Sequence, residues 1–139
     1  MKIVFACVEN SCRSQMAEAL AEKMFPNRDI EFASAGSHPA KKIDPVVLKI
    51  LKEEGIEWAG QPKSFGDIEK PDIVVTMGCD VDCPFNPGAR TISWDLMDPK
   101  GKSMEAYRSV LSDVDRSLNQ LMDEIHHSTQ EETDEPANG

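Results

Sequence analysis

The chain has 139 residues, which suits a single domain with a hydrophobic core and leaves little room for a second one. Its 25 acidic and 15 basic residues give a net charge of −10, which argues against nucleic acid and membrane surfaces as partners, since both attract a basic face. The apolar run after Met1 is too short for a secretory signal or a membrane span. Four cysteines without an export signal therefore predict a reducing, cytoplasmic location.

The first part of the chain predicts two strands on either side of a helix. Residues 2–8 form a short apolar run, which is typical of a parallel strand buried on both faces. Apolar residues then recur at helical spacing over residues 13–25, and Pro26 ends that helix. Residues 30–35 predict the second strand, which stops at Gly36.

Further elements follow at similar intervals. Asp44 and Pro45 are the residue types of a helix N-cap and a first helical position, so they predict the start of a second helix. Residues 72–77 and 90–94 predict the third and fourth strands. The loop between these strands, residues 78–89, is rich in Gly, Pro, Cys and Asp.

The last part of the chain divides into a helix and a tail. A long amphipathic pattern over residues 104–127 predicts a third helix, whose apolar stripe we assign to the core. Residues 128–139 are polar and acidic, which predicts disorder. The expected organisation is an α/β domain over residues 1–127 followed by a disordered tail over residues 128–139.

Strands that alternate with helices predict an α/β fold with a four-stranded parallel sheet and helices on both faces. In such sheets, ligands bind beyond the carboxyl ends of the strands. The loops that begin at Cys7, Gly78 and Asp95 leave the first, third and fourth strands on that side. We therefore expect these three loops to meet around one ligand.

The first of these loops has the pattern of an oxyanion site with its own nucleophile. Cys7 is followed six residues later by Arg13 and then by Ser14, and a helix begins there. Successive backbone N–H groups form a nest for a tetrahedral anion, the helix N-terminus adds positive field, and the guanidinium adds a planar fork. The same field favours the nucleophilic thiolate of Cys7. The predicted anion-binding residues are Val8, Glu9, Asn10, Ser11, Cys12 and Arg13.

An acid is needed where an oxygen leaves phosphate or arsenate, and Asp98 is the candidate in the loop after the fourth strand. Pro99 biases Asp98 to an extended conformation. Asp-Pro alone is also a common turn signal. The neighbouring anion loop is what favours the catalytic interpretation.

The remaining two cysteines, Cys79 and Cys83, are separated by three intervening residues in a loop that contains Gly and Pro. They can close a disulfide if the loop is turn-like, because an i,i+4 pair on a helical turn has Cα atoms about 6 Å apart. The alternative is a zinc site completed by His126 or His127. That alternative is weaker because Cys-x3-Cys supplies only half of the ligands.

The run from Cys7 to Glu18 reads Cys-Val-Glu-Asn-Ser-Cys-Arg-Ser-Gln-Met-Ala-Glu. It resembles the start of the thioredoxin-coupled arsenate reductases, which share the fold of the low-molecular-weight protein tyrosine phosphatases. The resemblance covers nearly all of the chain before the acidic tail. Its further matches are Ser34-Ala35-Gly36, the strand at 72–77, Cys83-Pro84, Trp94 and Asp98-Pro99.

The resemblance implies an arsenate reductase of arsenical resistance, with a role for each residue of the anion loop. Cys7 would attack arsenate, while Arg13 and the loop amides hold the anion. Ser14 would hydrogen-bond the thiolate. Asp98 would protonate the leaving oxygen.

The same resemblance implies a redox relay. Cys79 would attack Cys7 and release arsenite, and Cys83 would then attack Cys79. The product would be a Cys79–Cys83 disulfide, which thioredoxin or a similar reductant would reduce. The expected partners are thus an arsenate or phosphate oxyanion and that reductant, with the chain acting as a monomer.

The resemblance implies no required cofactor. Members of the family have a potassium site, and Asn10, Glu18 and Ser34 resemble residues that contribute to it. The chain departs from the family pattern at Glu9, where a glycine is usual. Glu9 places a carboxylate beside an anion site.

The main alternative is a low-molecular-weight protein tyrosine phosphatase, which would use Cys7, Arg13 and Asp98 in the same way and hydrolyse a phospho-cysteine. Phosphatases of this type usually carry aromatic residues after Asp-Pro, where this chain has Lys100 and Gly101. A noncatalytic oxyanion or redox sensor is a third interpretation. The complete set of acid, nucleophile and arginine favours an enzyme.

Overall fold

A computed structural model describes residues 1–26, 29–77 and 89–138, with the backbone alone for residues 127–138. Within these residues, four parallel strands form one sheet in the order β2-β1-β3-β4. The predicted α/β fold with a four-stranded parallel sheet is therefore confirmed. The elements are β1 (Lys2–Cys7), α1 (Arg13–Met24), β2 (Glu31–Gly36), α2 (Pro45–Glu53), a 3₁₀ helix (Phe65–Asp67), β3 (Ile73–Met77), β4 (Arg90–Trp94) and α3 (Met104–Asn138).

The two central strands, β1 and β3, are also the most apolar. Val4 pairs with Val74 in the sheet, and both side chains are fully buried. Central strands of a parallel sheet are covered on both faces, which is why these strands are unbroken apolar runs. At the other edge of β1, Cys7 pairs with Gly36 of β2. This register brings the carboxyl ends of the strands to one edge of the sheet.

Within the described residues, the three α-helices pack on one face of the sheet and the short 3₁₀ helix packs on the other. On one face, a large apolar cluster joins alternate residues of β1 and β3 to α1, α2 and α3. On the opposite face, a smaller cluster packs Ala6 of β1 and Val74 of β3 against Phe65 of the 3₁₀ helix. The predicted apolar stripe of α3 faces the large cluster, with six members buried: Tyr107, Val110, Leu111, Val114, Leu118 and Leu121.

The start of α2 is capped as the sequence predicts. The Asp44 carboxylate accepts a hydrogen bond from the Val46 N–H at 2.9 Å, and Pro45 occupies the first helical position. The hydroxyl of Tyr107 donates to the same carboxylate at 2.6 Å. Asp44 therefore joins the start of α2 to α3.

The backbone of α3 continues as a helix to Asn138, whereas the sequence pattern ends this helix at His127. Glutamate and glutamine are good helix formers, so the acidic segment prolongs the helix without apolar residues to anchor it. In the part of the chain that the structure describes, no helix is long and apolar enough to cross a membrane. The predicted division into a domain of residues 1–127 and a disordered tail of residues 128–139 stays a prediction.

Deleting residues 128–139 is expected to lower the melting temperature by less than about 2 °C, because this segment carries almost no apolar surface to bury. Activity is expected to stay unchanged. A longer deletion of residues 121–139 is the control, since it also removes the buried Leu121 and should destabilise the chain clearly. A marked loss of stability in the shorter deletion would assign the acidic segment to the folded domain.

Candidate active site

The anion loop follows β1 directly and lies against the end of β2. A Cβ atom at Gly36 would stand 2.5 Å from the Val8 carbonyl oxygen and 2.9 Å from the Asn10 nitrogen. Only glycine lets the two backbones approach this closely. Gly36 is therefore required where the loop leaves the sheet.

The carbonyl groups of the loop are turned outward. Because a peptide's N–H and C=O point in opposite directions, bonding the carbonyls outward directs the following N–H groups into the loop. That arrangement is an anion nest. Three loop carbonyls accept from the N–H groups of a segment after β2: Val8 from His38 at 2.8 Å, Glu9 from Ala40 at 2.9 Å, and Ser11 from Asp44 at 3.0 Å.

A chain of hydrogen bonds ends on the sulfur of Cys7. Asn10 is fully buried with a left-handed φ of 52°, and its Oδ1 accepts from the Lys63 N–H at 2.8 Å and from Gln15 Nε2 at 3.1 Å. Its Nδ2 therefore donates to Ser14 Oγ, at 2.7 Å. Since this oxygen already accepts a proton, its own O–H is free to donate to Cys7 Sγ, 2.8 Å away. Ser14 thus supplies a donor to the predicted nucleophile.

Gln15 stabilises this chain of hydrogen bonds through its contacts with Asn10. The sequence did not reveal this role, because glutamine is usually exposed. Gln15 is fully buried. Its Nε2 also donates to the Asn10 carbonyl at 3.0 Å and to the Gln61 carbonyl at 3.1 Å, and its Oε1 accepts from Trp58 Nε1 at 2.8 Å. Gln15 therefore holds Asn10 in its left-handed conformation, which costs energy for a residue other than glycine.

Replacing Gln15 with leucine is expected to lower the free energy of unfolding by about 2–4 kcal/mol, because it leaves the half-buried Trp58 N–H and the buried Asn10 carbonyl without this partner. Urea denaturation measures this change. Gln120→Leu is the matched control, because Gln120 is exposed on α3 and should change stability by less than about 0.5 kcal/mol. Equal effects of the two substitutions would contradict the supporting role of Gln15.

The structure brings Cys7, Arg13 and Asp98 to one cavity of about 270 Å³, although they come from separate parts of the chain. Cys7 is 4% exposed. Arg13 Nη1 donates to the Leu96 carbonyl at 3.0 Å, and Nη2 lies 3.9 Å from Asp98 Oδ2. The arginine is thereby held between the anion loop and the loop after β4. The cavity is lined by Cys7, Val8, Glu9, Ser11, Cys12, Arg13, Asp98 and Lys100.

Cys12 lines the same cavity but does not compete as a nucleophile. Burial raises the pKa of the Cys12 thiol well above its ordinary value, and the carboxylates of Asp44 and Asp98 raise it further. The thiol is therefore protonated at neutral pH, and a protonated thiol is a poor nucleophile. Of the two cysteines in this loop, Cys7 is the reactive candidate.

The residues of the expected potassium site already have partners. Ser34 Oγ donates to Glu18 Oε1 at 2.5 Å, and the Lys63 ammonium lies 3.7 Å from that oxygen. The Asn10 side-chain oxygen is occupied as described above. In this arrangement the Lys63 ammonium compensates the charge of Glu18, and the potassium site stays a prediction.

The two predicted relay cysteines, Cys79 and Cys83, lie outside the described residues. Among the described residues, no group of three or more His, Cys, Asp or Glu side chains is arranged to hold a metal ion. His126, named for the alternative zinc site, is exposed near the end of the described side chains. His127 belongs to the part of α3 described by its backbone alone.

The chain is similar to known arsenate reductases in sequence and in fold. The glutaredoxin arsenate reductase of Synechocystis sp. is 32% identical over 130 residues, which cover 89% of this chain and 98% of the relative. The thioredoxin-dependent arsenate reductase of Corynebacterium glutamicum superposes with a TM-score of 0.74 at 33% identity. That match covers 91% of this chain but only 62% of the other, so the chain spans less than two thirds of that protein.

A solved arsenate reductase in its phosphate-binding state superposes with a TM-score of 0.79 at 31% identity, covering 89% of this chain and 98% of that one. The family model for low molecular weight phosphotyrosine protein phosphatases matches residues 2–131. The resemblance carried by residues 7–18 is thereby confirmed. The chain belongs to the low molecular weight phosphotyrosine protein phosphatase family, together with the arsenate reductases to which it is similar.

Proposed function

We propose that this chain is an arsenate reductase that uses Cys7 as its nucleophile. The observation that carries the proposal is Cys7 in a cavity of about 270 Å³ that Arg13 also lines, with the Ser14 hydroxyl 2.8 Å from the Cys7 sulfur. The relatives described above, which are named arsenate reductases, support arsenate as the substrate.

In the first step, the Cys7 thiolate attacks arsenic and one oxygen leaves with a proton from Asp98. The inward N–H groups of the loop and Arg13 neutralise the charge of the anion. Asp98 is 56% exposed at the edge of the cavity, where it can exchange protons with water. The step leaves a cysteine-bound arsenic(V) species and water.

In the second step, the Cys79 thiolate attacks the Cys7 sulfur. The electron pair of the sulfur–arsenic bond passes to arsenic, which leaves as arsenite. Cys83 then displaces Cys7 from Cys79, so that two thiols are oxidised to one disulfide as arsenic gains two electrons. The reductant is thioredoxin or a similar dithiol protein. A glutaredoxin is the alternative, because one relative carries that name.

The chain requires no potassium ion in this proposal, because the Lys63 ammonium takes the place of a cation beside Glu18. The enzyme acts as a cytoplasmic monomer, where reducing conditions keep the three reacting thiols free.

Exchange of potassium for sodium is accordingly expected to change the melting temperature by less than about 1 °C. In Lys63→Met, which leaves the Glu18 carboxylate without its ammonium, potassium is expected to be stabilising. Thermal denaturation in matched chloride salts measures both. Stabilisation of the unsubstituted chain by potassium but not sodium would establish a bound ion.

The proposal is tested by mixing the reduced chain with arsenate in the absence of another reductant. About one arsenite per chain, with a new disulfide that contains Cys79, is expected from a single turnover. A phosphatase is the second candidate, since the family takes its name from that activity and uses the same residue types. Hydrolysis of an aryl phosphate without arsenite or disulfide formation would establish the phosphatase instead.

A further inference from the structure

An ion pair joins the two loops that bound the cavity. The Lys100 ammonium lies 2.5 Å from Glu9 Oε2, although the two residues are 91 positions apart. Glu9 belongs to the anion loop, whereas Lys100 follows the Asp98-Pro99 pair. Both side chains line the cavity that contains Cys7. The pair thus connects the nucleophile's loop to the acid's loop.

The ion pair lies at the solvent edge of this cavity. The side chains of Glu9 and Lys100 are 45% and 52% exposed, whereas Cys7 is 4% exposed. Both backbones are held in place: the Glu9 carbonyl accepts from the Ala40 N–H at 2.9 Å, and the Lys100 N–H donates to Asp98 Oδ1 at 3.1 Å. The pair therefore spans part of the mouth above the nucleophile.

The ion pair also neutralises the negative charge that Glu9 places beside the anion site. A carboxylate beside an anion site repels the dianion that must enter, and Lys100 neutralises that carboxylate at contact distance. The hydrogen bond from Lys100 to Glu9 raises the pKa of the lysine, so the ammonium stays charged at neutral pH and the pair stays formed. The mouth therefore presents a neutral pair to the incoming anion.

The cavity of about 270 Å³ has room for a bare tetrahedral oxyanion, whereas the organic group of a bound ester would extend toward the mouth, where the pair lies. We propose that the Glu9–Lys100 pair is a specificity determinant that admits inorganic oxyanions and disfavours organic phosphate esters. This inference rests on the proposed function only in requiring that the cavity binds a tetrahedral oxyanion. Because an exposed ion pair is weak, breaking it should change the affinity for inorganic oxyanions relative to organic esters by about fivefold.

The test compares the unsubstituted chain with Glu9→Gln, Lys100→Gln and the double variant. Calorimetry measures the dissociation constants of inorganic phosphate and of phenylphosphonate, a nonhydrolysable ester analogue. Because both ligands are anions of similar charge, a change in local charge shifts both affinities together. The ratio of the two affinities therefore reports the opening of the mouth.

All three variants are expected to shift this ratio about fivefold toward phenylphosphonate. Lys100→Gln alone should also weaken both ligands about threefold, because it leaves Glu9 unpaired, and the double variant should reverse that weakening. The control is Lys102→Gln, which removes an exposed lysine from the same loop and should change neither affinity by more than about twofold.

A ratio that stays within twofold in all three variants, while phosphate still binds, would overturn the specificity role and leave the proposed function intact. An unsubstituted chain that binds no phosphate would instead refute the oxyanion cavity, and the specificity role with it. Phosphate binding by each variant also shows that the variant is folded.

Discussion

Replacing Cys7 with serine is expected to abolish arsenate reduction and aryl phosphate hydrolysis alike, by at least about 10⁴-fold, as for the loss of a catalytic nucleophile. A serine hydroxyl is protonated at neutral pH. Among the described residues, the side-chain partner of position 7 is the Ser14 hydroxyl, which donates to it and does not act as a base. Arsenite formation and nitrophenyl phosphate hydrolysis measure the two losses. Both losses are expected because both reactions begin with the same attack.

Cys12→Ser is the matched control for this substitution. It makes the same atomic change in the same loop, at a thiol that is protonated at neutral pH, because burial raises the pKa of Cys12. The backbone N–H of residue 12 is retained, so activity should stay within about tenfold. Phosphate binding by both variants shows that the loop is still formed. Substantial turnover by Cys7→Ser would remove Cys7 from its assigned role.

Replacing Cys83 with alanine is expected to reduce catalysis from many turnovers to at most one arsenite per chain. Cys79 can still attack Cys7 and release arsenite, but no thiol remains to displace Cys7 from the resulting disulfide. Peptide mass mapping after one turnover should therefore find a Cys7–Cys79 disulfide. Thioredoxin and its reductase supply electrons in the steady-state assay.

The matched comparison is Cys79→Ala, which removes the preceding step. In that variant, arsenic should stay on Cys7 and arsenite release should fall below one per chain. Aryl phosphate hydrolysis should survive both substitutions, because it needs neither relay cysteine. Sustained arsenate turnover by Cys83→Ala would show that the reductant acts directly on the Cys7–Cys79 disulfide, which would remove Cys83 from the relay.

Features of this chain that depend on neighbouring residues could be predicted from the sequence. The apolar run of β1, the Asp44-Pro45 start of α2 and the Cys7-to-Arg13 spacing each depend on local chemistry. The meeting of the loops that begin at Cys7 and Asp95 also followed, because parallel strands place their carboxyl ends at one edge. The third predicted loop, which begins at Gly78, lies almost entirely outside the described residues. The arrangement around Cys7, Arg13 and Asp98 is thus largely a consequence of strand order.

The sequence was less informative about where the helix α3 ends. The end of α3 was placed at His127 because the apolar stripe stops there, yet the helix continues to Asn138. Apolar periodicity reports which face of a helix packs, whereas the backbone hydrogen bonds of an exposed helix need no such stripe.

By itself, then, the sequence determined the fold class and the nucleophile's loop, because these follow from local patterns and from the geometry of parallel sheets, and it indicated the family through the resemblance of residues 7–18. Only the tertiary structure decided which polar residues support the loop. Gln15 meets Trp58 across 43 positions, Lys63 meets Glu18, and Lys100 meets Glu9. Such pairs carry no periodic signal, since a buried amide or an ion pair is recognisable only by the partner that folding brings to it.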